Sequence, residues 1–194
     1  MKTLRLTLLA VPLFLVGCKS IPYVTKDGAA PATPAPDKAT IVVAQSYTYP
    51  QINIIDPAGK VLGQVGPRQY TVFNVPPGEL KMAAFPGKVY DRGDRVAGTV
   101  EANKVYYFVV TFRMGGITFQ TISPRNDKEE WNQRKTYTRD LSPVSIEPGR
   151  AAEVEAALGE ERSKYYGEID SEVNGWTDEE KKNRRIEPGD GDGT

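Results

Sequence analysis

Between residues 40 and 123 short apolar runs alternate with clusters of Gly, Pro, Asn and Asp, the pattern of successive strands and turns. It predicts strands over 41–45, 51–56, 60–65, 69–74, 79–85, 95–101, 105–112 and 117–122. In 69–74 the alternation puts Tyr70 and Val72 on one face and Thr71 and Phe73 on the other. The run 105–112 is apolar on both faces, as expected of a strand in the middle of a sheet. Asp56-Pro57-Ala58-Gly59, Pro76-Pro77-Gly78, Ala102-Asn103 and Gly115-Gly116 supply the turns: Pro fixes φ, and Gly admits positive φ. No helix-length segment separates these strands, which excludes a doubly wound parallel sheet. The expected fold is mainly β, a small antiparallel β-sandwich with a C-terminal α-helical extension.

The period changes after Pro148-Gly149. Val154, Leu158, Tyr165, Ile169 and Val173 fall on one helical stripe, with Trp176 three residues beyond. Such a stripe either completes the core against the sheet or binds a partner, and Val154, Leu158, Tyr165 and Ile169 are its candidate partner-binding residues. Asn174-Gly175 signals a helix end, and Thr177-Asp178-Glu179-Glu180 reads as a capping box opening a second short helix. The charges divide unevenly. Residues 38–122 carry nine basic and five acidic side chains, and 150–187 carry seven basic and eleven acidic, so the two segments should attract.

The opposite end has no such period. Lys2 and Arg5 precede an apolar stretch over 6–16, the layout of a secretory signal and too short for a good membrane span. Leu15-Val16-Gly17-Cys18 follows at once, and it resembles the lipobox of bacterial lipoproteins. The resemblance implies cleavage before Cys18 and acylation of its thiol, so that the protein reaches the membrane through lipid on Cys18. The alternative is an ordinary signal with an incidental cysteine. Acyl chains anchor at about 0.8 kcal/mol per buried methylene. Lys19, where inner-membrane retention in enteric bacteria uses Asp, implies the outer membrane, facing the periplasm or the surface. Pro22, Pro31, Pro34 and Pro36 then punctuate an Ala-containing stretch without period. It reads as a disordered spacer able to reach about 60 Å.

The resulting division is 1–17 signal peptide, 18–39 Pro/Ala-rich tether, 40–123 β-sandwich, 124–149 connector, 150–187 helical extension and 188–194 disordered tail. Within the connector, 127–135 is expected to form a helical turn around Trp131.

Composition restricts the chemistry. The 194 residues include no histidine and one cysteine, with 25 basic and 25 acidic side chains. That excludes a Ser-His-Asp triad, His-ligated zinc and, once Cys18 is acylated, any disulfide. Balanced charge offers no general field for nucleic acid, so none is expected as a partner. Asp91 and Asp94 flank Arg92 in an expected loop, and Asp190 and Asp192 lie in the expected tail. Neither pair has calcium-loop spacing, and both read as solvated charges. No metal, cofactor or catalytic residue is expected.

The run 52–85 resembles an immunoglobulin- or transthyretin-like module of bacterial envelope lipoproteins. The residues that carry the resemblance are Ile54-Ile55-Asp56, Gly59-Lys60-Val61-Leu62-Gly63, Tyr70-Thr71-Val72-Phe73 and Pro77-Gly78-Glu79-Leu80. Ala102-Asn103-Lys104-Val105-Tyr106-Tyr107 is similar to the turn and strand of an uncharacterised lipoprotein domain of that type. The resemblance covers 40–123 and implies fold, with no catalytic residues to carry over. The expected protein is therefore a lipid-anchored, non-enzymatic interaction or structural module of the bacterial envelope, with an unidentified envelope protein as partner. The alternatives are a small-ligand or glycan-binding domain using Tyr47, Tyr49 or Tyr90, and a carboxylate-dependent hydrolase.

Overall fold

The computed structural model describes residues 21–46, 51–86, 93–113, 116–158 and 174–193. Two sheets pack face to face. One has six strands: β1 (Thr25–Asp27), β10 (Ser142–Ile146), β5 (Gln69–Val75), β2 (Ala39–Gln45), β8 (Lys104–Arg113) and β9 (Gly116–Ile122), in that spatial order. The other has five: β11 (Arg185–Ile186), β7 (Asp94–Val100), β6 (Gly78–Pro86), β3 (Ile52–Ile55) and β4 (Val61–Val65). The eight strands expected within 40–123 all form, within two residues of their expected bounds.

The sandwich is mainly β, but its sheets are mixed and not wholly antiparallel. β2 runs parallel to β8, matching Ile41 with Tyr106 and Val43 with Phe108. β10 joins β5 and β11 joins β7 in parallel as well. All three are pairings between strands distant in sequence, which local turn chemistry does not encode. Between the sheets lie Ile41, Val43, Ile54, Met82, Val96 and Tyr106, together with Phe108 and Phe119, whose ring centroids are 5.4 Å apart.

Both outer faces are covered, and this explains the doubly apolar strands. On the five-stranded sheet, Ile55, Val61, Ala83 and Phe85 pack under Ile21 and Val24 and under Val154 and Leu158 of α2 (Ala151–Leu158). On the six-stranded sheet, Val42, Val72, Tyr107 and Val109 pack under Ala29, Ala32, Trp131 and Tyr137. Trp131 belongs to α1 (Lys128–Asn132), the expected helical turn, which Asp127 caps by accepting from the Glu130 N–H at 2.9 Å. The Trp131 ring meets Tyr107 edge-on at 6.3 Å. Sequestering a side chain of this kind from water contributes about 1.5–3 kcal/mol.

These covers correct three assignments. Residues 21–39 are not a disordered spacer: they form β1, bury Ile21 and Val24, and lay Ala29 and Ala32 on the sheet. The connector is also part of the sheet, since β10 lies between β1 and β5. The tail is folded too. Asp190 and Asp192 are buried, and Asp192 exchanges two backbone hydrogen bonds of 2.8 Å with Val105 of β8.

The capping box opens α3 (Asp178–Arg184) as expected: the Thr177 N–H donates to Glu180 Oε2 at 2.9 Å, and Thr177 Oγ1 accepts from the Glu180 N–H. Among the described residues, no helix is long and apolar enough to cross a membrane.

Candidate functional site

Three places gather polar side chains. The first is the closure at the C-terminal end. Asp94, at the start of β7, accepts from the Arg95 N–H at 2.9 Å and the Phe119 N–H at 2.8 Å, and it pairs with Arg184 of α3 at 3.1 Å. One carboxylate thus ties β7, β9 and α3 together. Burial raises its pKa above the ordinary 3.8, outweighing the hydrogen bonds and the arginines, which act the other way.

Asp190 accepts from Arg125 at 3.1 Å and from the Glu187 N–H at 2.9 Å. Asp192 Oδ2 accepts from Arg134 Nη2 at 2.6 Å and Nε at 3.1 Å. Arg134 in turn lies over the Trp131 ring, its guanidinium carbon 4.1 Å from the centroid. Tyr107 sits beneath this stack. Burial, and then the Asp192 carboxylate, raise its pKa. The charges expected to dock the extension therefore act differently from the net-charge argument. Acids of the last segment find arginines of the connector, and a basic residue of α3 finds an acid of the sandwich.

The second place is a clamp on the N-terminal segment, on the outer face of the five-stranded sheet. Gln64 Nε2 donates to the Pro22 carbonyl at 2.9 Å and to Asn53 Oδ1 at 2.7 Å, while Gln64 Oε1 accepts from the Val24 N–H at 2.9 Å. Gln51 donates to the same Pro22 carbonyl at 3.2 Å. Asn53 and Gln64 alternate with the inward Ile52, Ile54 and Val65, so strand period alone puts them outside; the buried amides exist because another segment crosses over them. Gln64→Ala is expected to destabilise the fold by about 2 kcal/mol, because the Val24 N–H and Asn53 lose a buried partner. Urea denaturation checks this, with a lower midpoint and an unchanged slope expected.

The third place is an open groove of about 560 Å³ between the Asp56–Lys60 turn and the Pro76-Pro77 corner. Three of its charged side chains, Asp56, Glu79 and Lys81, are engaged within the groove's own rim. Asp56 Oδ1 accepts from the Lys60 N–H at 2.8 Å, and Lys81 pairs with Glu79 at 3.0 Å.

Of the candidate partner-binding residues, Val154 and Leu158 are buried against the sheet and so are not available to a partner. Tyr165 and Ile169 lie outside the described residues, as do Cys18, Asp91 and the tyrosines at 47, 49 and 90. Among the described residues, no group of three or more acidic or cysteine side chains is placed to share a metal ion. The sequence pattern does not distinguish the buried Asp94, Asp190 and Asp192 from solvated acids, because their partners lie up to 90 positions away. A scan against models of protein families finds none that matches this chain, and a search of curated proteins finds no match either.

Proposed function

We propose that this chain is a lipid-anchored protein of the bacterial cell envelope, acting as a non-enzymatic interaction or structural module. The observation that carries the reading is the sole cysteine placed directly after a basic and then apolar leader, in Leu15-Val16-Gly17-Cys18. Lys19 favours the outer membrane as the destination. The fold adds support of a different kind. Asp94, Asp190 and Asp192 direct their oxygens at arginines and backbone N–H groups, which suits interlocks between segments better than acids or bases for catalysis.

Feeding cells a clickable palmitate analogue tests the anchor. The wild-type chain is expected to take the label and partition into detergent, whereas Cys18→Ser is expected to stay unlabelled. Equal labelling of the two would remove the reading. Crosslinking in intact cells then tests the partner, with a reproducible envelope protein expected.

A further inference from the structure

The folded body starts very close to the proposed lipid. Ile21 is buried, the Pro22 carbonyl accepts from two amides, and the Val24 N–H is held by Gln64. Only Lys19 and Ser20 stand between Cys18 and Ile21. Three residue steps span at most about 11 Å. The spacer of about 60 Å that the prolines suggest is thus reduced to a short leash.

The face next to that leash carries a second feature. Tyr23, 42% exposed, is the one exposed large hydrophobic side chain among the described residues. Its hydroxyl donates to Gln69 Oε1, which also accepts from the Gly66 N–H at 2.7 Å, so the ring lies against the turn between β4 and β5. That turn exposes Pro67 and Arg68. A tyrosine with its ring in the interface and its hydroxyl bonded is suited to headgroup depth, and an arginine beside it suits anionic phosphate.

We propose that this face, built from Ile21–Val24 and the β4–β5 turn, rests on the phospholipid bilayer, with Tyr23 at headgroup level, so that the β11 and α3 edge points away from the membrane. The proposal rests on the reading of Cys18 as the acylated residue. The bilayer follows as occupant from the length of chain between that residue and the clamp.

The test uses the mature acylated protein in vesicles of phosphatidylethanolamine and phosphatidylglycerol, with acylation first verified by mass. Acylation blocks Cys18, so an introduced cysteine is the only free thiol. Fluorophores are placed at Pro67→Cys, beside Tyr23, and at Glu179→Cys on α3, and are quenched by headgroup-spin-labelled lipid. Strand spacing across the five-stranded sheet puts its β4 and β11 edges about 19 Å apart, so about fivefold stronger quenching is expected at position 67. A flexible ten-residue insertion after Ser20 is expected to reduce that difference at least by half if the short leash creates it, and Tyr23→Ser to weaken it further.

Equal, weak quenching at both positions in acylated protein overturns the membrane-facing orientation and leaves the anchor standing. Stronger quenching at position 179 overturns it as well. A chain whose mass shows no acyl group overturns the anchoring reading, and the orientation falls with it.

Discussion

Asp94→Ala is expected to destabilise the protein by about 3 kcal/mol, because two buried backbone N–H groups and an arginine lose their shared acceptor. The donors are the Arg95 and Phe119 N–H groups and Arg184, on three different elements. Loss of the side chain should therefore loosen β7, β9 and α3 together. Urea titration followed by tryptophan fluorescence provides the measurement, since Trp131 and Trp176 are both in the described structure and Trp176 is buried beside α3 in sequence. An unchanged midpoint would show that the carboxylate is not an interlock.

The same residue gives a pH signature of definite sign. Burial raises the folded pKa of Asp94 above its ordinary value of 3.8, so the native state binds this proton more tightly than the unfolded chain does. The proton-linked part of its contribution to stability is largest below the unfolded value and is lost as pH rises through the raised folded value, while the hydrogen bonds it accepts remain. Asp94→Asn removes that step. The stability of the wild type relative to Asp94→Asn should therefore decline as pH rises from 3.8, and then level. Glu180 acts in the opposite sense. The Thr177 N–H bond is the largest cause of its lowered pKa, so its contribution is present above the ordinary 4.5 and is lost as pH falls.

Gly98→Ala is expected to have an effect at least as large, about 3 kcal/mol or more, because strain and lost burial of Ile186 add. Gly98 has φ of 156° and faces the backbone of β11. A Cβ there would overlap the Ile186 carbonyl oxygen and lie 2.6 Å from its carbonyl carbon. Backbone cannot rotate aside as a side chain does, so β11 must leave β7. The variant should show a lower urea midpoint and rapid tryptic cleavage at Arg184 and Arg185 under native conditions. Resistance equal to wild type would mean that the last strand does not depend on this approach.

How much of this was legible beforehand follows from how the information is distributed. The strands β2 to β9 announce themselves because each combines a local apolar run with a local turn, as with Asp56–Lys60, where Gly59 takes φ of 78°. The Thr177–Glu180 box was legible for the same reason: both partners lie within one turn of helix. β1, β10 and β11 were not, because runs of two to five residues such as Thr25–Asp27 and Ser142–Ile146 have no period of their own. They become strands only when an edge formed elsewhere offers them hydrogen bonds.

Proline and alanine misled for a related reason. Pro22 lacks a donor, but its carbonyl is a sound acceptor for Gln64 and Gln51, and Ala29 and Ala32 are small enough to lie flat on a sheet. Composition reported the absence of a helix or a core strand there, not the absence of structure. The candidate site was less legible still. Nothing near Asp192 in sequence signals Arg134, and the stack from Tyr107 through Trp131 to Arg134 joins residues from two elements and a 3₁₀ turn.

Because β11 completes one sheet and Asp192 bridges to β8 of the other, neither layer is finished until residues 185–192 are available. A nascent chain emerging residue by residue therefore lacks these pieces until residues 185–192 have emerged. Its long-range pairings, such as β2 with β8, also form slowly by nature. Such lateness leaves the emerging chain without a finished layer on which to collapse until those residues arrive.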